Sequence, residues 1–168
     1  MTTGFPVRNM QYLAPLYGTE LPALERVRVR SIQLNWRGPT VTLRLDLPEP
    51  PLPLPQAWAE AGVDTVQCHL VFLGVEDLSL SDWNPPVTAR LSVSPLDAKS
   101  RIKMVLETSE NGVLLEFSSS SDVLAHHLSG FRRRPDGTDS GPHLFKGGID
   151  RRLYATVPEP HVRVFHER

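Results

Sequence analysis

Residues 65–83 read TVQCHLVFLGVEDLSLSDW, and the first half of that stretch is apolar on both sides of an extended chain. Val66, Cys68, Leu70 and Phe72 fall on one side, and Val71 and Leu73 join Gln67 and His69 on the other. A strand wet on one face alternates cleanly, so this pattern predicts an interior strand covered on both faces rather than an edge. Gly74 permits a bend. Leu78 and Leu80 then resume an alternation that stops at Trp83 and Asn84-Pro85-Pro86.

Toward the N-terminus, Val27 and Val29, then Ile32, Leu34 and Trp36, alternate in two phases. The slip near Arg30-Ser31 predicts a β-bulge. Arg37-Gly38-Pro39 is a turn, and Val41, Leu43, Leu45 and Leu47 alternate with Thr40, Thr42, Arg44 and Asp46. The two runs predict a hairpin with one wet face. Residues 48–55 hold five prolines, which exclude a central strand and favour an extended connection. Residues 56–62 (QAWAEAG) predict one helical turn closed by Gly62, with Trp58 laid on the sheet as a cover. Residues 1–22 read as an irregular lead-in whose Tyr12 and Tyr17 pack on the core.

Toward the C-terminus, Val87, Ala89, Leu91 and Val93 form another alternating strand. Ile102, Met104 and Leu106 match Val113, Leu115 and Phe117 across Asn111-Gly112, a strong hairpin signal. Residues 122–130 (DVLAHHLSG) fit either a short helix capped by Asp122 or a closing strand. Residues 132–142 (RRRPDGTDSGP) read as a polar linker. Two strand-like pieces at 153–157 and 162–165 follow, forming a hairpin or a tail. The whole predicts a mainly β fold, an antiparallel β-sandwich or open barrel with one or two short helical turns. Residues 1–131 form the β-rich domain, and 132–168 a linker plus C-terminal β-hairpin or tail.

The 168 residues suffice for one domain and a modest appendage. Cys68 is the only cysteine, so no internal disulfide is available and a reducing compartment is the expectation. No signal-peptide pattern and no apolar run long enough for a membrane span are visible, which makes cytoplasmic the expected location. Charge is uneven: residues 1–45 carry +4, 46–122 carry −8 and 123–168 carry +3. The acidic middle argues against nucleic acid and fits either solvated strand faces or a surface that steers a basic partner.

Reactive groups do not converge in the sequence. His126-His127 are neighbours, so they point in different directions and make poor joint ligands for a metal, with Asp122 and His143 flanking them. They read as surface or pH-indifferent histidines. Cys68 lies within the most apolar strand and reads as a buried hydrophobe rather than a nucleophile. Glu76 with Asp77, and Glu107 with Glu116, sit in turns or on wet faces, not across a cleft. No phosphate-binding glycine loop is present, and residues 118–121 lack the glycines of a serine-nucleophile elbow. Arg132-Arg133-Arg134 read as solvated linker. Trp36, Trp58 and Trp83 suit core or rim positions, or alternatively the lining of a carbohydrate- or small-ligand-binding β module. No cofactor, metal site or catalytic residue is expected.

Taken in order, LYGTELPALERV, SIQLNWRGPTVTLRLDLP, Trp58 and VQCHLVFLGVEDLSLSDW resemble the immunity protein 50 family, whose members are encoded beside toxins of bacterial polymorphic toxin systems. The resemblance covers about residues 13–131 and rests on Gly38-Pro39, Asp46-Leu47-Pro48, Trp58, the strand at 66–75 and Trp83. Asp82 stands where members of the family often carry glycine. The resemblance implies a non-enzymatic inhibitor that binds and occludes a cognate toxin. Glu76, Asp77, Asp82 and Trp83, where acids and an aromatic coincide, are the candidate partner-binding residues.

Overall fold

The computed structural model describes residues 7–8, 17, 22–48, 50–51, 54–84, 86–96, 100–135 and 139–145. Nine strands and one short helix form there: β1 (Val27–Asn35), β2 (Thr40–Asp46), α1 (Gln56–Glu60), β3 (Thr65–Phe72), β4 (Glu76–Leu80), β5 (Val87–Pro95), β6 (Arg101–Thr108), β7 (Gly112–Ser120), β8 (Leu124–Arg133) and β9 (Asp139–Phe145). They make one antiparallel sheet in the order β4-β7-β6-β5-β1-β2-β3-β8-β9. The expectation of a mainly β fold holds, and the sheet does not close into a barrel.

The sheet curls because β5 changes partner along its length. Its first residues pair with β1 (Val29↔Val87 to Val27↔Ala89), and those from Arg90 to Pro95 pair with β6. Strands in a sheet lie about 4.8 Å apart, so β7 and β3, five ladder steps from each other, would be about 24 Å apart if it were flat. Instead, the Phe72 and Phe117 rings meet edge-on with centroids 5.1 Å apart. The Ser120 amide donates to the Leu73 carbonyl at 2.8 Å, joining the end of β7 to the end of β3. The two halves of one sheet thus face each other as the two layers of a sandwich would.

Between them lies the core. Val41, Leu43 and Leu45 of β2 stand opposite Phe72, Leu70 and Cys68 of β3, facing Met104, Leu106, Leu115 and Phe117 from β6 and β7, all buried. The β1–β2 hairpin has the expected bulge, between Val29 and Ser31. The β6–β7 hairpin pairs Met104 with Phe117 and Leu106 with Leu115, turning at Gly112, where φ is +69°. β3 is interior, between β2 and β8, and all its residues but Val71 are buried.

The open reading of residues 122–130 resolves to strand β8. The stretch read as a linker gives Arg132 and Arg133 to β8, and from Asp139 onward it becomes β9, which pairs with β8. Pro135 and Gly137 between the two strands, with Gly141-Pro142 inside β9, hid the pattern because such residues read as loop. The pieces at 153–157 and 162–165 and the side chain of Tyr12 lie outside the described residues.

Trp58 does cover the sheet. A Cβ added at Gly130 would lie 2.8 Å from both the Trp58 ring and Val63, so only glycine lets the indole reach β8. Among the described residues no helix is long and apolar enough to cross a membrane. Gly130→Ala is expected to lower unfolding free energy by about 1–3 kcal/mol by overpacking. Phe117→Ala should cost about 3–5 kcal/mol by removing the contact between layers. Urea denaturation checks both.

Candidate functional site

The four residues nominated from the sequence all belong to β4 or its ends, but they do not form one cluster. Glu76 and Asp77 open the strand, whereas Asp82 and Trp83 follow it. At about 3.3 Å per residue, the two acidic ends are roughly 20 Å apart. Glu76, Asp77 and Asp82 are exposed. Trp83 is half-buried and packs against the core. Glu76 pairs with Arg101 at 3.4 Å, and Arg101 also donates to the Gly74 carbonyl at 2.7 Å.

β4 is the terminal strand of the sheet, and all five of its residues are exposed. Leu78 and Leu80 keep 36% and 38% of their surface in solvent. Asp77 and Asp82 bracket this segment with φ of +55° and +50°, a left-handed conformation that non-glycine residues adopt at a cost, with Asp among the more tolerant.

A second feature escaped the sequence reading. Leu34 and Trp36, at the tip of the β1–β2 hairpin, are 52% and 80% exposed, with the Arg37 guanidinium 5.1 Å from the Trp36 ring centroid. The Val75 amide donates to the Pro39 carbonyl at 2.9 Å, which places this tip beside the start of β4. The available signal was the Arg37-Gly38-Pro39 turn, because a tryptophan next to a hairpin turn projects beyond the sheet. The three tryptophans do not share a pocket: Trp36 is at this tip, Trp58 lies against Gly130, and Trp83 follows β4.

Elsewhere the outer side of β1–β2–β3–β8 holds a buried polar row. Asp46, 1% exposed, accepts from Arg30 at 2.9 Å, from Arg133 and from Gln67 at 2.6 Å. Arg44 donates to Gln67 at 3.2 Å, and the Arg30 guanidinium lies 5.2 Å from the Phe131 ring centroid. Arg133 is therefore an ion-pair partner of the sheet, correcting its reading as solvated linker. His127 is buried rather than on the surface, with its ring centroid 4.9 Å from that of the buried His69. The cause is local: the β3–β8 register shifts between Gln67 and His69, and His127 takes a φ of +53°, turning its ring toward β3. No group of three or more potential metal ligands occurs among the described residues.

Cys68 is buried as expected, and burial, together with the nearby Asp46 charge, pushes its thiol up from 9.0 to about 12. Glu116 pairs with Lys103 at 3.5 Å, and Glu107 stands opposite Arg90, so these two acids take part in cross-strand pairing rather than in a cleft.

Compared with known families, residues 9–123 match the model of immunity protein 50. The chain belongs to the immunity protein 50 family. The match spans every strand from β1 to β7 and ends immediately before β8. It therefore includes β4, Trp36 and Asp82. No curated protein and no solved structure matches the chain.

Asp46→Ala is expected to destabilise the protein by about 3–5 kcal/mol, since it removes the buried carboxylate on which Arg30, Gln67 and Arg133 converge. Glu116→Ala, which removes an exposed pair, should cost at most about 1 kcal/mol. The Cys68 shift also fixes a sign. Above pH 9 the unfolded chain loses the thiol proton while the folded chain keeps it, so unfolding is favoured as pH rises toward 12. Stability should fall across that window by up to about 1.4 kcal/mol per pH unit relative to Cys68→Ala, as read by urea denaturation at each pH.

Proposed function

We propose that this chain neutralises a cognate protein toxin by binding and occluding it, without catalysis, in the cytoplasm of the bacterium that produces the toxin. The observation that carries the reading is the family match over residues 9–123. The surface supports it. An exposed tryptophan stacked under an arginine, next to a strand with two half-exposed leucines, offers the aromatic and apolar anchors that dominate protein interfaces. The acids at both ends of β4 form a charged rim that raises the rate of encounter with a basic partner. An inhibitor of this kind acts as a rigid obstacle, and the two-layer β framework supplies rigidity.

Co-expression with the toxin encoded beside it should restore growth and allow the two chains to be co-purified. Glu76→Lys combined with Asp82→Lys is expected to lower the association rate at least tenfold at low salt, with a smaller effect as salt rises. An unchanged rate would reject β4 as part of the binding face.

A further inference from the structure

The free side of β4 has backbone groups to offer. The Ser81 amide donates to the Leu114 carbonyl at 2.8 Å, and Leu80 stands opposite Leu115. In an antiparallel ladder the hydrogen-bonded residues alternate, so Ser79 and Ser81 point their N–H and C=O groups at β7. Leu78 and Leu80 point theirs away from it, where no strand of the described residues lies. Leu80 shares a face with the buried Leu115, which puts its half-exposed side chain at the open margin of the core-lining side. The edge is short: the positive φ angles of Asp77 and Asp82 interrupt extended backbone on either side of residues 78–81.

We infer that this edge accepts a short cationic β-strand from the partner protein, which pairs with the backbone of Leu78 and Leu80 and buries their side chains. This rests on the toxin-binding reading for the partner's identity and adds the mode of attachment, strand addition to a sheet edge. Charge selects the occupant. Residues 76–83 (EDLSLSDW) carry three acids and no base. Arg101 offsets Glu76, while Asp77 and Asp82 have no basic partner among the described residues. A second copy pairing antiparallel about Ser79 would set Glu76 against Asp82 twice, and like charges directly opposite each other are unfavourable. A strand with lysine or arginine at its ends meets the acids at both ends of β4, with apolar residues over the leucines.

The test uses the full chain and an inactive variant of the toxin encoded beside it. Leu80→Pro removes the outward-facing amide and leaves the bond from Ser81 to Leu114 in place, a position where proline suits an edge strand. It is expected to weaken capture at least tenfold with an unchanged circular dichroism spectrum. Should that variant fail to fold, Leu78→Arg with Leu80→Arg sets cations against the cationic strand and is expected to give the same loss. In wild type, toxin binding should slow amide exchange at Leu78 and Leu80 at least tenfold. Full capture by the variants with no protection at those amides overturns the edge inference and leaves toxin binding standing. A wild-type chain that captures no toxin overturns the reading beneath it. A salt-insensitive dimer of the free chain abolished by Leu80→Pro overturns the choice of occupant.

Discussion

The structure depends on β5 serving two neighbours. A single antiparallel sheet has one apolar face, and that face must be covered by something. Here, the covering layer is the other half of the same sheet, brought round because β5 leaves β1 after Ala89 and pairs with β6 from Arg90 onward. Without that change of partner, Phe72 and Phe117 would lie on distant strands of a flat ribbon. With it, they touch at the centre of a two-layer core.

Curling solves one face and leaves the other. The outer side of β2, β3 and β8 is also buried in part, and among its buried residues are the polar Asp46, Gln67 and His69. A buried carboxylate is tolerable only when charge and hydrogen bonds compensate it. Asp46 meets that condition through Arg30 of β1, Gln67 of β3 and Arg133 of β8. One side chain thereby ties four strands together, adding directional bonds to a register that the buried apolar face already specifies.

An open sheet also has ends. β4 is one of them, and its acids and bulge-like backbone discourage indiscriminate pairing. On the proposed reading the same features make it selective, since they disfavour like-charged strands while leaving two leucines exposed. The Trp36 tip lies next to its start, beside Glu76 and Asp77 and away from Asp82.

The sequence by itself determined the local ribbons. Period-two alternation placed β1, β2, β5, β6 and β7, the phase slip at Arg30-Ser31 marked the bulge, and the two-sided apolar run marked β3 as interior, because each is written in neighbouring residues. The nominated acids are exposed, and their separation along β4 is a matter of strand rise and the change of backbone at Asp77. Only the tertiary structure decided that His127 points inward, that Arg133 reaches Asp46 across 87 positions, and that Trp36 stands clear of the core. Those outcomes depend on which strands become neighbours and where their registers shift, and contacts between residues far apart in the chain leave no periodic trace in it.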